Sequence, residues 1–304
     1  MKNRGMSNVK FAVSADSTCD LYADEIKEWG IDVAPLEFTL SRGDEVTIGL
    51  DNFTKREQYL DFYDQLRKGV IARTSILSVQ AHIDLFTAMA KRGVKTALHL
   101  SQGYGLSPTV DNANAAIAEV KKQFPDINYV AVECDTTTIG EGLLVKAAVA
   151  MRDAGKTLDE AVATINAIKH HTQHFVLVND LKFLARGGRI SSVAAGIGSV
   201  VQVKPIIEFG RDGKLKVCRK EIGLKKALRS IVNDYGKFTL NQDFPYIVIA
   251  HTDNEPLAKE LQAQLAAAYG VKPEIRFIGP IVGTHLGPSA VAYGFISNED
   301  RPYA

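Results

Sequence analysis

The chain has 304 residues, 46% of them hydrophobic and 23% charged, and its 36 Lys and Arg against 35 Asp and Glu leave a formal net charge of +1. This length lies beyond the ~250–300 residues at which single cores split, so two domains are expected, and the composition is that of a globular protein rather than a disordered one. The near-neutral balance argues against a general nucleic-acid binder, and with no run near ~18 apolar residues no transmembrane segment is expected, only room for transient membrane contact.

Residues 1–8 read as a loose tail, and the run Phe11-Ala12-Val13 is too short for a signal peptide. A strand is expected over residues 9–14, followed by a turn in which Asp16-Ser17-Thr18 caps a helix over residues 22–29. That turn lacks the glycine cradle and lysine of a phosphate loop. Further strands are expected over residues 32–40, 95–100 and 127–133. Between the last two, Ser107 is a good N-cap and Pro108 suits the first helical position, with Ala113, Ala115, Ala116, Ile117 and Ala118 carrying the helix to about residue 123. Another helix is expected over residues 136–151. Short apolar strands between helices of this length indicate βαβ units and a mostly parallel sheet, with ligands beyond the carboxyl ends of its strands, where Asp16, Ser101, Ser107 and Asp135 fall.

A helix starting near Leu158 should end at His170–His174, and the domain junction is placed there, giving an N-terminal α/β domain over 9–170 and a C-terminal α+β domain over 171–304. The second half should hold a strand over 175–179 and strands over 203–209 and 214–219, which flank the hairpin signal Gly210-Arg211-Asp212-Gly213. A helix over 224–235, a strand over 246–251, a helix over 256–269 and strands over 274–278 and 291–296 complete it.

Several clusters read as structural. His170 and His174 share a helix face at i, i+4, but no carboxylate or cysteine beside them completes a metal site, so they complement the helix dipole. Gly196-Ile197-Gly198 follows a helical rather than a strand-like stretch, Ser191-Ser192-Val193-Ala194-Ala195, and is no dinucleotide fingerprint. The three cysteines, Cys19, Cys134 and Cys218, stand far apart without a CxxC pair, which fits a reducing cytoplasm. Residues 204–229 carry nine basic and three acidic groups, a local balance of +6 that either docks an acidic partner, a phosphate or an anionic membrane surface or is simply a solvated hairpin and helix face.

Five stretches together resemble one family. They are Asp16-Ser17-Thr18-Cys19-Asp20-Leu21, Gly105-Leu106-Ser107-Pro108-Thr109, Leu181-Lys182-Phe183-Leu184-Ala185-Arg186-Gly187-Gly188-Arg189-Ile190-Ser191, Val203-Lys204-Pro205-Ile206-Ile207 and Thr284-His285-Leu286-Gly287-Pro288. In this order, from about Val9 to Phe295, they resemble the DegV proteins. The resemblance implies a two-domain DegV-like fold that encloses one long-chain fatty acid between its domains. It also implies a non-catalytic carrier without a cofactor, which in one branch presents the fatty acid to an ATP-dependent kinase. Carried over by motif, Thr74, Ser75, Ser107 and His285 would hold the carboxylate, and Arg219, Lys220 and Lys225 would face a partner.

The chain departs from the family pattern in five places, the first being Thr74-Ser75-Ile76-Leu77-Ser78, where the family usually has Thr-Ser-Gln-Pro-Ser. The loop Ser101-Gln102-Gly103-Tyr104-Gly105 is two residues longer, Pro108 and Ser289 replace glycines, and Ile222 stands where the kinase-linked branch has arginine. Two other classes of function stay open at this point. One is an enzyme acting on a small carboxylate or phosphate, with His285 as acid or base and Ser107 positioning the substrate. The other is a scaffold module that uses the basic hairpin.

Overall fold

Residues 10–178, 181–190 and 202–302 are described by the structure, a computed structural model. The expected tail, Val9, and the residues from Ser191 to Gly198 lie outside the described residues.

In chain order the elements begin with β1 (Ala12–Asp16), a short 3-10 turn, α1 (Ala23–Trp29), β2 (Asp32–Ala34), β3 (Glu37–Arg42) and β4 (Glu45–Leu50). Next come α2 (Arg56–Arg67), β5 (Ile71–Thr74), α3 (Val79–Lys91), β6 (Thr96–Ser101), α4 (Thr109–Gln123), β7 (Asn128–Glu133), α5 (Ile139–Asp153) and α6 (Leu158–Ile168). The second half runs β8 (Thr172–Leu177), α7 (Lys182–Arg186), β9 (Val203–Phe209), β10 (Leu215–Ile222) and α8 (Leu224–Tyr235). It ends with β11 (Ile247–His251), α9 (Glu255–Tyr269), β12 (Glu274–Phe277), α10 (Pro280–Leu286) and β13 (Val291–Ile296).

The expected α/β class is what forms. A parallel sheet has the order β2-β1-β6-β7 and a mixed sheet the order β10-β9-β8-β13-β11-β12. Every residue of β8 and β13 is buried, as are the last five of β6, so these strands are covered on both faces, and β13 is a continuous apolar run rather than an alternating one. The reason is α5. It packs on β1 and β6 on one side and on β8, β11 and β13 on the other. A helix covered on both sides must be apolar all round, and twelve of its fifteen residues are buried. Gly140 lets it approach the mixed sheet, since a side chain there would collide with the His174 ring.

A third sheet, β4-β3-β5, is antiparallel. It corrects the expectation of one strand over residues 32–40, because β2 pairs with β1 while β3 pairs with β4 and β5. Pro35 lies between them and has no N–H to continue a ladder. This sheet delivers Thr74 to the site.

Candidate functional site

A cavity of about 300 Å³ lies among β5, the loop after β6, the turn before α5, the mixed sheet and α10. Its wall is chiefly apolar: Leu36, Ile76 and Leu106 on one side, and Val176, Phe209, Leu215, Ile281 and Leu286 on the other. Thr74, Ser75, Ser107 and His285, the four residues expected at a ligand head, all line it. Gln102, Thr137, Thr138 and Arg189 add further polar groups. Gln102 and Thr137 follow β6 and β7, so the polar wall sits beyond the carboxyl ends of parallel strands.

Thr74 and His285 are brought together from 211 residues apart, with Thr74 Oγ1 and His285 Nε2 at 2.9 Å. The sequence suggests a loop around His285, but it lies in helix α10. Pro280 sits in the first turn of that helix, and Gly287, at φ 70, ends it. Burial, aided by Arg189 and Arg186, pushes the imidazole down to about 4, so the ring is neutral at physiological pH. A neutral ring has one N–H. With that proton on Nε2 it donates to Thr74 Oγ1, and the threonine O–H is free to donate into the cavity. His285 Nδ1 has no partner, and a methyl group at Gly187 would strike it. The pair has the outline of a nucleophile and its base, but among the described residues no third group orients the ring. A base near 4 is also weak at neutral pH.

Ser107 is not the helix cap that the sequence suggests. Helix α4 begins at Thr109 with Pro108 in the capping position, and no side chain caps it. Ser107 Oγ instead lies 2.9 Å from Thr109 Oγ1. The N–H of Ser107 closes a turn on the Gly103 carbonyl at 3.1 Å, which fixes the loop that carries it. The Asp16 turn differs too. Asp16 accepts the Thr18 N–H at 3.0 Å and so caps the 3-10 turn Ser17–Cys19, whereas Glu25 covers the N–H of Tyr22 before α1.

Arg189 is a site residue that sequence reasoning did not single out, although it lies in the longest family motif. Its guanidinium donates to the Gly187 carbonyl, and burial alone pushes its pKa down. Among the described residues no carboxylate pairs with it. A half-buried cation without an anion is a place for one.

Beneath the polar wall lies a buried acid network. Asp16 Oδ2 accepts the Ser101 hydroxyl at 3.1 Å and the Gln102 N–H at 3.0 Å. Glu141 accepts the Thr18 hydroxyl at 2.7 Å, and its other oxygen has no partner. Burial first, then the nearby Asp16, raises the Glu141 carboxyl well above its ordinary value, and burial pushes Asp20 up to about 7. A carboxyl held neutral in the fold but ionised in the unfolded chain costs stability as pH rises above the unfolded value of about 4.3. Glu141→Gln removes that cost. The variant should therefore gain on the wild type by up to about 1.4 kcal/mol per pH unit above pH ~5, read by urea unfolding at acid and neutral pH. Parallel stability curves would show Glu141 to be charged in the fold.

Of the residues assigned to a partner face, Lys220 and Lys225 are exposed. Arg219 is turned inward, paired through both guanidinium ends with Asp234 and 3.7 Å from Glu208. The histidines also diverge. Helix α6 ends at Ile168, so His170 lies in a 3-10 turn and His174 in β8, and they share no helix face. His170 lies 3.6 Å from Asp135 and His171 lies 3.1 Å from Asp300, while His174 meets the Thr136 hydroxyl at 3.2 Å. Among the described residues no group of three or more His, Cys, Asp or Glu could hold a metal ion.

Known proteins share both the sequence and the shape. A DegV domain-containing protein of Clostridium perfringens is 31% identical over 294 residues, which cover 96% of this chain and 99% of the relative. The crystal structure of a DegV lipid binding protein from Thermotoga maritima has a TM-score of 0.81 at 24% identity, covering 96% of this chain and 100% of that one. That of a fatty acid binding DegV family protein from Streptococcus agalactiae has a TM-score of 0.76 at 27% identity, with 96% and 100% covered. A family model described as "Uncharacterised protein, DegV family" matches residues 10–298, and the chain belongs to the DegV family.

Proposed function

We propose that this protein is a carrier that binds one long-chain fatty acid and performs no chemistry on it. The observation that carries the reading is the make-up of the cavity: an apolar wall with a cluster of neutral donors and one guanidinium that pairs with no carboxylate among the described residues. Burying roughly fourteen methylenes at about 0.8 kcal/mol each offers some 11 kcal/mol before the costs of association. That gain survives only if the carboxylate is hydrogen-bonded where it is buried. We assign it to Thr74, Ser75, Ser107 and His285, with Arg189 as its counter-charge. Relatives described as lipid binding or fatty acid binding support the fatty-acid reading itself.

The weak base at His285 and its missing orienting group count against the enzymatic alternative. The wide spacing of Cys19, Cys134 and Cys218 along the chain suits a reducing cytoplasm. Presentation to an ATP-dependent acyl kinase is the finer part of the reading. On the face assigned to it, Lys220 and Lys225 are available, Arg219 is committed to Asp234, and the 67% exposed Ile222 offers an apolar contact in place of a charge.

The test is a calorimetric titration of delipidated, folded protein with hexadecanoic acid, together with native mass spectrometry of protein taken directly from cells. One bound acid per chain is expected in both. A folded protein that neither retains nor takes up an acid would sink the proposal.

A further inference from the structure

Two neighbouring polar side chains in the cavity wall have no side-chain partner among the described residues and no part in the head-group site. Thr137 is 4% exposed and its hydroxyl has no hydrogen-bond partner. Gln102 is 6% exposed, and only its backbone N–H is bonded, to Asp16. Both line the cavity. They are neighbours, because the Gly103 N–H donates to the Thr136 carbonyl at 2.6 Å and ties the two segments together. Buried amides and hydroxyls are nearly always paired, since leaving one unpaired costs a large part of its hydration.

The surroundings decide what could pair with them. Asp16, Glu141 and Asp20 lie directly behind this wall, joined to it through Ser101, Gln102 N–H and Thr18. A second anion would be buried there without a counter-charge, because the guanidinium of Arg189 belongs to the head-group site. A neutral oxygen meets no such penalty. The glutamine amide offers both donors and an acceptor, and the threonine hydroxyl offers one donor and acceptor lone pairs. A hydroxyl, which donates and accepts at once, matches that set.

We infer that Gln102 and Thr137 form a second polar site that selects a long-chain fatty acid carrying a hydroxyl group on its chain. The inference rests on the fatty-acid reading of the same cavity. A pocket built to hydrogen-bond a hydroxyl discriminates strongly against the analogue without it, because the pocket's own groups are then left unpaired.

The experiment compares octadecanoic acid with monohydroxy-octadecanoic acids that carry the hydroxyl near the head, at mid-chain or near the tail. Affinities are measured on delipidated wild type, Thr137→Val and Gln102→Leu. One hydroxylated isomer should bind wild type about tenfold or more tightly than octadecanoic acid. In each variant the ratio of those two affinities should fall to near unity. Octadecanoic acid binding with no isomer preferred would overturn this inference and leave the carrier reading intact, since the two side chains then hold only solvent. A preference that persists in both variants would overturn it as well. Failure of every acid to bind wild type would remove both readings together.

Discussion

Thr74→Val should weaken fatty-acid binding by about ten- to a hundredfold while leaving the protein as stable as the wild type. The affinity change follows from the loss of one donor to a charged group, worth about 1.5–3 kcal/mol, at tenfold per 1.4 kcal/mol. The unchanged stability follows from the position. Thr74 is the last residue of β5 and pairs with Phe38 across the sheet. Valine keeps the β-branched shape that a strand prefers. His285 Nε2 loses its one recorded partner in this variant, but the ring is already neutral, so no charge is stranded.

Ser107→Ala should act on binding in the same direction. Because Ser107 does not cap α4, the alanine should cost well below the ~1 kcal/mol of a lost cap. Titration with hexadecanoic acid and thermal unfolding of the same preparations read the two quantities separately. A Thr74→Val protein that binds like the wild type would mean that the carboxylate sits elsewhere in the cavity. Parallel losses of stability and affinity would mean that Thr74 is only structural.

How far the sequence alone reaches depends on how local each cause is. Helix α8 and strand β13 have the limits the sequence suggests, because α8 has a clear apolar stripe through Leu228, Ile231 and Tyr235, and β13 is an unbroken apolar run. Helix α2 carries a stripe of equal clarity in Tyr59, Phe62, Tyr63 and Leu66, so it too is readable, although the strands and helices expected above omit it. The four candidate head-group residues lie on one cavity, but only the family resemblance links them. Nothing in local pattern joins Thr74 to His285 across 211 positions. Arg189 has the opposite problem. It stands in a motif rich in basic residues, and only the placement of α7 against α10 makes it the cation that faces the cavity.

Arg301→Met should be the most destabilising single change considered, and its cause is also invisible in the sequence. This arginine stands near the C-terminus in a polar stretch, where a solvated side chain is the ordinary outcome. It is instead 1% exposed. Its guanidinium donates to the Thr172 carbonyl at 3.1 Å, the Asp135 carbonyl at 2.8 Å, the Gly210 carbonyl at 3.0 Å and the Lys169 carbonyl at 2.5 Å. Burial pushes it down to about 10, so it stays charged at neutral pH.

These acceptors come from the turn before α5, the end of α6, the start of β8 and the hairpin turn between β9 and β10. One side chain thus holds together the segments that carry Thr137 and Phe209 on the cavity wall. Methionine fills much of the volume but strands those carbonyls. The expected cost is about 3–5 kcal/mol, the range for breaking a buried charged network. Arg301→Lys should recover only a small part of it, because an ammonium cannot reproduce the planar fork. Urea unfolding of the three proteins measures the cost directly. Fatty-acid titration of the folded fraction should show weakened binding in Arg301→Met, since two walls of the cavity lose their common anchor. Wild-type stability in Arg301→Met would mean that this residue lies at the surface and that the cavity walls are held by other contacts.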